Sequence, residues 1–95
     1  MNLLIELYDY PCGVDFYYIQ NNDVKEFGDE IFKKLNKIAV ELLIYRYFVD
    51  NCAEIEKKRK KAISKISDYL ESVGYPIEKI FLMSNGSLEN IYTIK

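Results

Sequence analysis

Residues Ile38 to Val49 read IAVELLIYRYFV, a run in which only Glu41 and Arg46 are charged. A stretch so rich in branched and aromatic residues is compatible with a buried strand from Val40 to Val49, and the choice between strand and helix decides the architecture. The flanking pattern selects the helix. Val24, Ile31, Ile38 and Tyr45, with Leu35, Leu42 and Val49 between them, recur at three-four spacing, which is the apolar stripe of a helix. From Asp23 to Val73 the chain has one glycine, Gly28, and no proline, so little inside the span opposes helix. With so few charges, Ile38 to Val49 is expected to be covered on several sides, by the sheet, by another helix or by a second chain. A homodimer through Ile38 to Val49 is therefore among the expected partners.

Asp23-Val24-Lys25-Glu26 has the form of a capping box and is expected to open the helical region. Asp50-Asn51 is its internal break signal, and Asn51-Cys52-Ala53-Glu54 repeats the capping pattern. Cys52, Ile63, Ile66, Leu70 and Val73 nevertheless continue the earlier heptad phase. One uninterrupted helix would be about 76 Å long at about 1.5 Å per residue and would overhang a small domain, so a helical hairpin is the preferred reading.

Strand patterns flank this region. Leu3, Ile5 and Leu7 alternate with Leu4, Glu6 and Tyr8 from Asn2 to Asp9, a period of two. Tyr10-Pro11-Cys12-Gly13 suits a type I turn into a second strand, Val14 to Gln20, closed by the turn-forming pair Asn21-Asn22. After Pro76, which ends any preceding helix, Ile77 to Met83 and Leu88 to Ile94 flank Ser84-Asn85-Gly86-Ser87. Asn-Gly is a strong hairpin signal because a type I′ turn needs positive φ at both central residues. The expected fold class is α+β: two terminal β-hairpins in ββ-α-α-ββ order, forming an antiparallel sheet packed on a long helix or helical hairpin in one small domain.

The 95 residues, 49% of them hydrophobic, suffice for one modest core. No histidine and only two cysteines, Cys12 and Cys52, provide no zinc set and no disulfide framework. The N-terminus lacks a basic lead and a long apolar block, so neither a signal peptide nor a membrane span is expected, and the expected location is cytoplasmic. On that reading Asn85-Gly86-Ser87 is a turn and not a glycosylation acceptor. Catalysis is not expected. Histidine-based acid-base chemistry is excluded, phosphate-cradling glycine motifs are missing, and no EF-hand spacing groups the carboxylates, so no cofactor or metal is expected. Asp9 and Asp15 flank Cys12 and would raise its thiol pKa, opposing reactivity. Cys52 falls on the apolar stripe, where packing is expected.

Charge is uneven. Residues 1–30 hold seven acids and one base, whereas residues 31–95 hold eight acids and twelve bases. Six of the bases, Lys57, Lys58, Arg59, Lys60, Lys61 and Lys65, lie in the stretch EIEKKRKKAISK. At about 100° per residue, Ile55, Ala62, Ile63, Leu70 and Val73 cluster around Ile66 while these lysines point away, as on the wet face of an amphipathic helix. Glu54 and Glu56 each precede a lysine by four positions, Lys58 and Lys60, and partly answer this charge. The net charge of −2 opposes general polyanion binding, which normally accompanies a strongly basic domain. Arg59 differs by falling on the apolar side. It requires a carboxylate partner from the sheet or another chain, with Glu6 a candidate.

In YDYPCGVDFYY, alternation sends Phe16 and Tyr18 to the face opposite Tyr17, so the rings cannot all enter the core. Exposed tyrosine offers rigid contact area at low entropic cost, and tyrosine beside acids suits a protein partner more than a nucleic acid. The expected function is a non-catalytic protein-binding module using Tyr8, Asp9, Tyr10, Asp15, Tyr17 and Tyr18. Richness in Ile, Lys, Asn and Tyr fits an AT-rich genome. By analogy alone, an inhibitor of a host nuclease or defence complex, carried by a phage or mobile element as anti-CRISPR proteins are, has this size and charge. The alternative is a nucleic-acid or nucleotide binder using the basic residues between Lys57 and Lys65.

Overall fold

The computed structural model describes residues 1–9, 12–48 and 52–94, with side chains described for all of these except 9, 12, 41, 43–48 and 52–54. In chain order the elements are β1 (Asn2–Asp9), β2 (Cys12–Gln20), β3 (Asp23–Glu26), α1 (Asp29–Phe48), α2 (Cys52–Ser72), β4 (Lys79–Ser84) and β5 (Ser87–Thr93). The fold is α+β, and the stretch that decided the reading is helical through Phe48. Two helices form where one long helix was the competitor. Their junction, with Val49, Asp50 and Asn51, lies outside the described residues. Cys12 and Gly13, expected in a type I turn before a strand from Val14, instead open β2, paired with Asp9 and Tyr8, while Tyr10 and Pro11 lie outside the described residues.

Asp23 to Glu26 is not a helix cap. Asn21 and Asn22 adopt φ of 54° and 68°, the two positive values of a type I′ turn, which folds Asp23–Glu26 back on β2 as a third strand. The helix begins six residues later, at Asp29, with the Phe32 N–H donating to the Gly28 carbonyl over 2.9 Å. Val24 is consequently an exposed strand residue and not part of the helical stripe.

The sheet is mixed, in the order β3-β2-β1-β4-β5, and not wholly antiparallel. Strand β1 is central and runs parallel to β4, with Leu3 opposite Ile80 and Ile5 opposite Leu82. The reason is a count of reversals. The β1-β2 hairpin returns the chain to the start of β1, the turn into the short β3 starts it away again, and α1 and α2 carry it on and bring it back. Lys34 near the start of α1 sits 5.8 Å from the Tyr69 ring near the end of α2. The Glu78 N–H then donates to the Met1 carbonyl over 3.0 Å, so β4 starts where β1 starts and must run with it.

Helix α2 ends before Pro76 acts. Gly74, at φ 95°, lets the Tyr75 N–H reach the Leu70 carbonyl over 2.8 Å and its own N–H the Glu71 carbonyl over 3.3 Å. These are the two bonds of a Schellman cap. Val73, expected on the apolar face, lies past the helix end and is exposed.

Both helices cover one face of the sheet. Leu3, Ile5, Leu7, Phe16, Ile80 and Leu82 meet Leu35, Leu42, Ala62, Ile63, Ile66 and Leu70, all buried. At about 25 cal/mol per Å² of apolar surface removed from water, this contact is the main stabilising contribution. Leu35, Ala39 and Leu42 of α1 thus lie in the chain's own core, while Val40 is exposed.

Candidate functional site

Among the described residues no helix covers the other face of the sheet. Because side chains alternate, Leu4, Glu6 and Tyr8 of β1, Asp15, Tyr17 and Ile19 of β2, and Phe81 and Met83 of β4 stand on the face opposite Leu3, Phe16 and Ile80. The registers place Glu26, Tyr17, Leu4, Phe81 and Ile91 side by side in one row across all five strands. Ile91 and Leu88 remain about half exposed, and Val24 more so. Beside this row, Glu6 lies opposite Asp15.

Tyr8 joins those two acids. Its hydroxyl is 2.8 Å from Asp15 Oδ2 and 3.2 Å from Glu6 Oε2. The bond to Asp15, reinforced by burial and both negative charges, holds the Tyr8 phenol well above its ordinary pKa. Burial, followed by the charges of Asp15, Glu26 and Glu6, pushes Tyr17 in the same direction. Both rings thus remain neutral hydrogen-bonding groups on an acidic surface.

Of the residues expected to bind a protein, Tyr8, Asp15 and Tyr17 come together here. Tyr18 does not. It faces the helix layer, with its ring 4.9 Å from Phe27 and 5.2 Å from Tyr75. The side chains of Asp9 and Tyr10 lie outside the described residues. Leu4, Phe81 and Ile91 belong to the face and were missed, because their adjacency depends on the pairing of β1 with β4 and β4 with β5. The unbroken apolar run Leu3-Leu4-Ile5 was the available signal, since a strand greasy on both faces suits the middle of a sheet.

At the β3 end of this face lies a cleft of about 270 Å³ lined by Asp15, Tyr17, Glu26 and Asp29 together with Phe16, Phe27 and Phe32. It forms where β3 stops and Phe27-Gly28 carries the chain into α1. Among the described residues no group of three carboxylates, histidines or cysteines is placed to hold a metal ion.

The basic residues occupy the opposite side of the molecule. Lys57, Lys60, Lys61 and Lys65 are exposed on α2, whereas Lys58 and Arg59 are half-buried. Arg59 is paired with Glu89 on β5 over 2.8 Å and not with Glu6, which stands on the far face of the sheet. A bulge makes this pair. Leu82 pairs with Asn90 and Met83 with Leu88, leaving Glu89 as an extra residue that is turned toward α2. Glu56, expected to answer Lys60, instead accepts from the Tyr92 hydroxyl over 3.3 Å and the Asn90 amide over 3.4 Å. No described helix is long and apolar enough to cross a membrane. Comparisons with protein-family models, curated proteins and solved structures give no match.

Proposed function

We propose that this chain is a non-catalytic protein-binding module that docks through the open face of its sheet. The observation that carries the reading is the row Tyr17-Leu4-Phe81-Ile91, an apolar strip on the uncovered face, bordered by Glu6, Asp15 and Glu26. Partly exposed apolar surface of this kind, half-buried at Leu4, Tyr17 and Phe81 and open at Ile91, and rimmed by polar groups, is a recurrent mark of a contact site. Tyrosine supplies the anchor and the acids select the partner's charge. A basic partner surface, such as the groove of a nucleic-acid-handling protein, has the complementary chemistry. Inhibition of a host nuclease or defence complex by a phage or mobile-element protein is the form of this function to test first. A homodimer through Ile38 to Val49, a stretch whose side chains lie largely outside the described residues, is the competing reading.

The exposed lysines of α2 support a second reading, contact with a nucleic acid or another polyanion. Affinity capture with the intact chain separates the two. Tyr17→Ala and Ile91→Asp abolish specific capture if the sheet face docks, while Lys57→Glu with Lys61→Glu abolishes it if the helix face does.

A further inference from the structure

We propose that the cleft between β3 and α1 is the seat for an arginine side chain of the partner protein, an inference that rests on docking through the adjacent sheet face. Asp15 and Tyr17 belong both to the lining of the cleft and to the open sheet face, so a partner lying on that face comes against the cleft. Its composition selects the occupant. Phe32 and Tyr17 present partly exposed rings beside the buried Phe16 and Phe27, while Asp15, Glu26 and Asp29 provide negative charge around the same space. Ring faces and edges attract flat, weakly hydrated cations, and a guanidinium meets both rings and carboxylates better than an ammonium does.

The charge is available for a partner. Tyr8 donates a hydrogen bond to Asp15, but among the described residues no lysine or arginine pairs with Asp15, Glu26 or Asp29. The exposed lysines of α2 lie across the molecule on the other layer. Seven acids against one base in residues 1–30 make the surroundings attractive to an incoming cation. A metal ion is a poorer occupant, since the walls are mainly aromatic and no metal-binding trio is present among the described residues.

The test uses the full chain labelled with ¹⁵N and the blocked tripeptide acetyl-Gly-Arg-Gly-amide, with its citrulline counterpart as the uncharged control of similar shape. Saturable shifts confined to amides of Tyr17, Glu26, Phe27, Gly28, Asp29 and Phe32 are expected with arginine and not with citrulline. Asp29→Asn should weaken binding about five-fold, the order expected for one partly exposed charge pair. Equal response to citrulline, shifts spread over the whole acidic face, or indifference to Asp29→Asn overturns the assignment. So do the same shifts on concentrating the protein without peptide, which would give the cleft to a second copy. Asp29 lies off the sheet face, so the two proposals fail separately. Partner capture that survives Asp29→Asn unchanged but is lost in Tyr17→Ala keeps the docking face and removes the arginine seat.

Discussion

Arg59 on α2 and Glu89 on β5 meet at 2.8 Å across thirty positions of sequence, with side chains 11% and 33% exposed. The arginine Nε is buried and finds no acceptor among the described residues, so the guanidinium depends heavily on this carboxylate. Glu89→Ala should destabilise the fold by about 2 kcal/mol, between an exposed pair and a fully buried one. Arg59→Met retains the packing of the stem and should cost less. The double substitution should cost less than the sum of the two, because it removes the stranded charge. Urea unfolding of the four proteins gives the coupling, and strict additivity would show that the pair contributes nothing.

Tyr8 makes stability sensitive to alkali. Its phenol titrates near 10 in the unfolded chain and well above that in the fold, chiefly because it donates to Asp15. Above about pH 10 the unfolded state therefore loses a proton that the folded state keeps, and stability falls as pH rises. Below that pH the contribution is fully present. Tyr8→Phe should lower stability at pH 7 and flatten its decline between pH 9.5 and about 11.5. Parallel alkaline slopes for the two proteins, measured by urea unfolding, would contradict this assignment.

The elements legible in the sequence were those written in local spacing. Leu3, Ile5 and Leu7 marked β1, Asn85-Gly86 marked the closing hairpin, and Leu35 and Leu42 marked the buried side of α1. Asp23 to Glu26 misled because an acid followed three residues later by glutamate caps a helix or decorates an edge strand equally well. The positive φ of Asn21 and Asn22 decided between them. The partner of Arg59 was misplaced because only the Glu89 bulge brings a β5 carboxylate to α2. On the open face, Tyr17 was visible from alternation within one hairpin, but its row with Leu4, Phe81 and Ile91 joins strands from both ends of the chain. The parallel run of β4 beside β1, where an antiparallel sheet was expected, depends on the return of the chain through α2, and no short-range signal chose β1 as its neighbour.

The Asn85-Gly86 turn isolates the cost of backbone conformation from that of contact. Gly86 sits at φ 83°, and a Cβ added there would meet nothing within 4 Å. Gly86→Ala should therefore destabilise by about 1–2 kcal/mol through the left-handed backbone alone. A loss of this size lowers Tm by roughly 4–8 °C per kcal/mol in a domain this small. Asn85, at φ 49°, tolerates that conformation better than alanine does, so Asn85→Gly should change Tm little. A Tm unchanged in Gly86→Ala would mean that the hairpin shifts to another turn at no cost.

Salt distinguishes the two faces of the molecule. Docking on Tyr17, Leu4, Phe81 and Ile91 removes apolar surface from water and should persist as salt rises from 0.1 to about 0.5 M, weakened only through its acidic rim. Contact of α2 with a polyanion releases counterions, so its affinity should fall steeply over the same range and vanish in Lys57→Glu/Lys61→Glu. Tyr17→Ala should weaken a docked partner by at least about ten-fold if this ring is an anchor, equivalent to about 1.4 kcal/mol. It should leave Tm within about 2 °C, since the ring stands outside the core. Titration of a captured partner at both salt concentrations measures these effects. Binding lost at 0.5 M salt, and indifferent to Tyr17→Ala and Ile91→Asp, would transfer the function to the helix face. Retained binding that both sheet substitutions abolish would leave the lysines as the solvated side of α2.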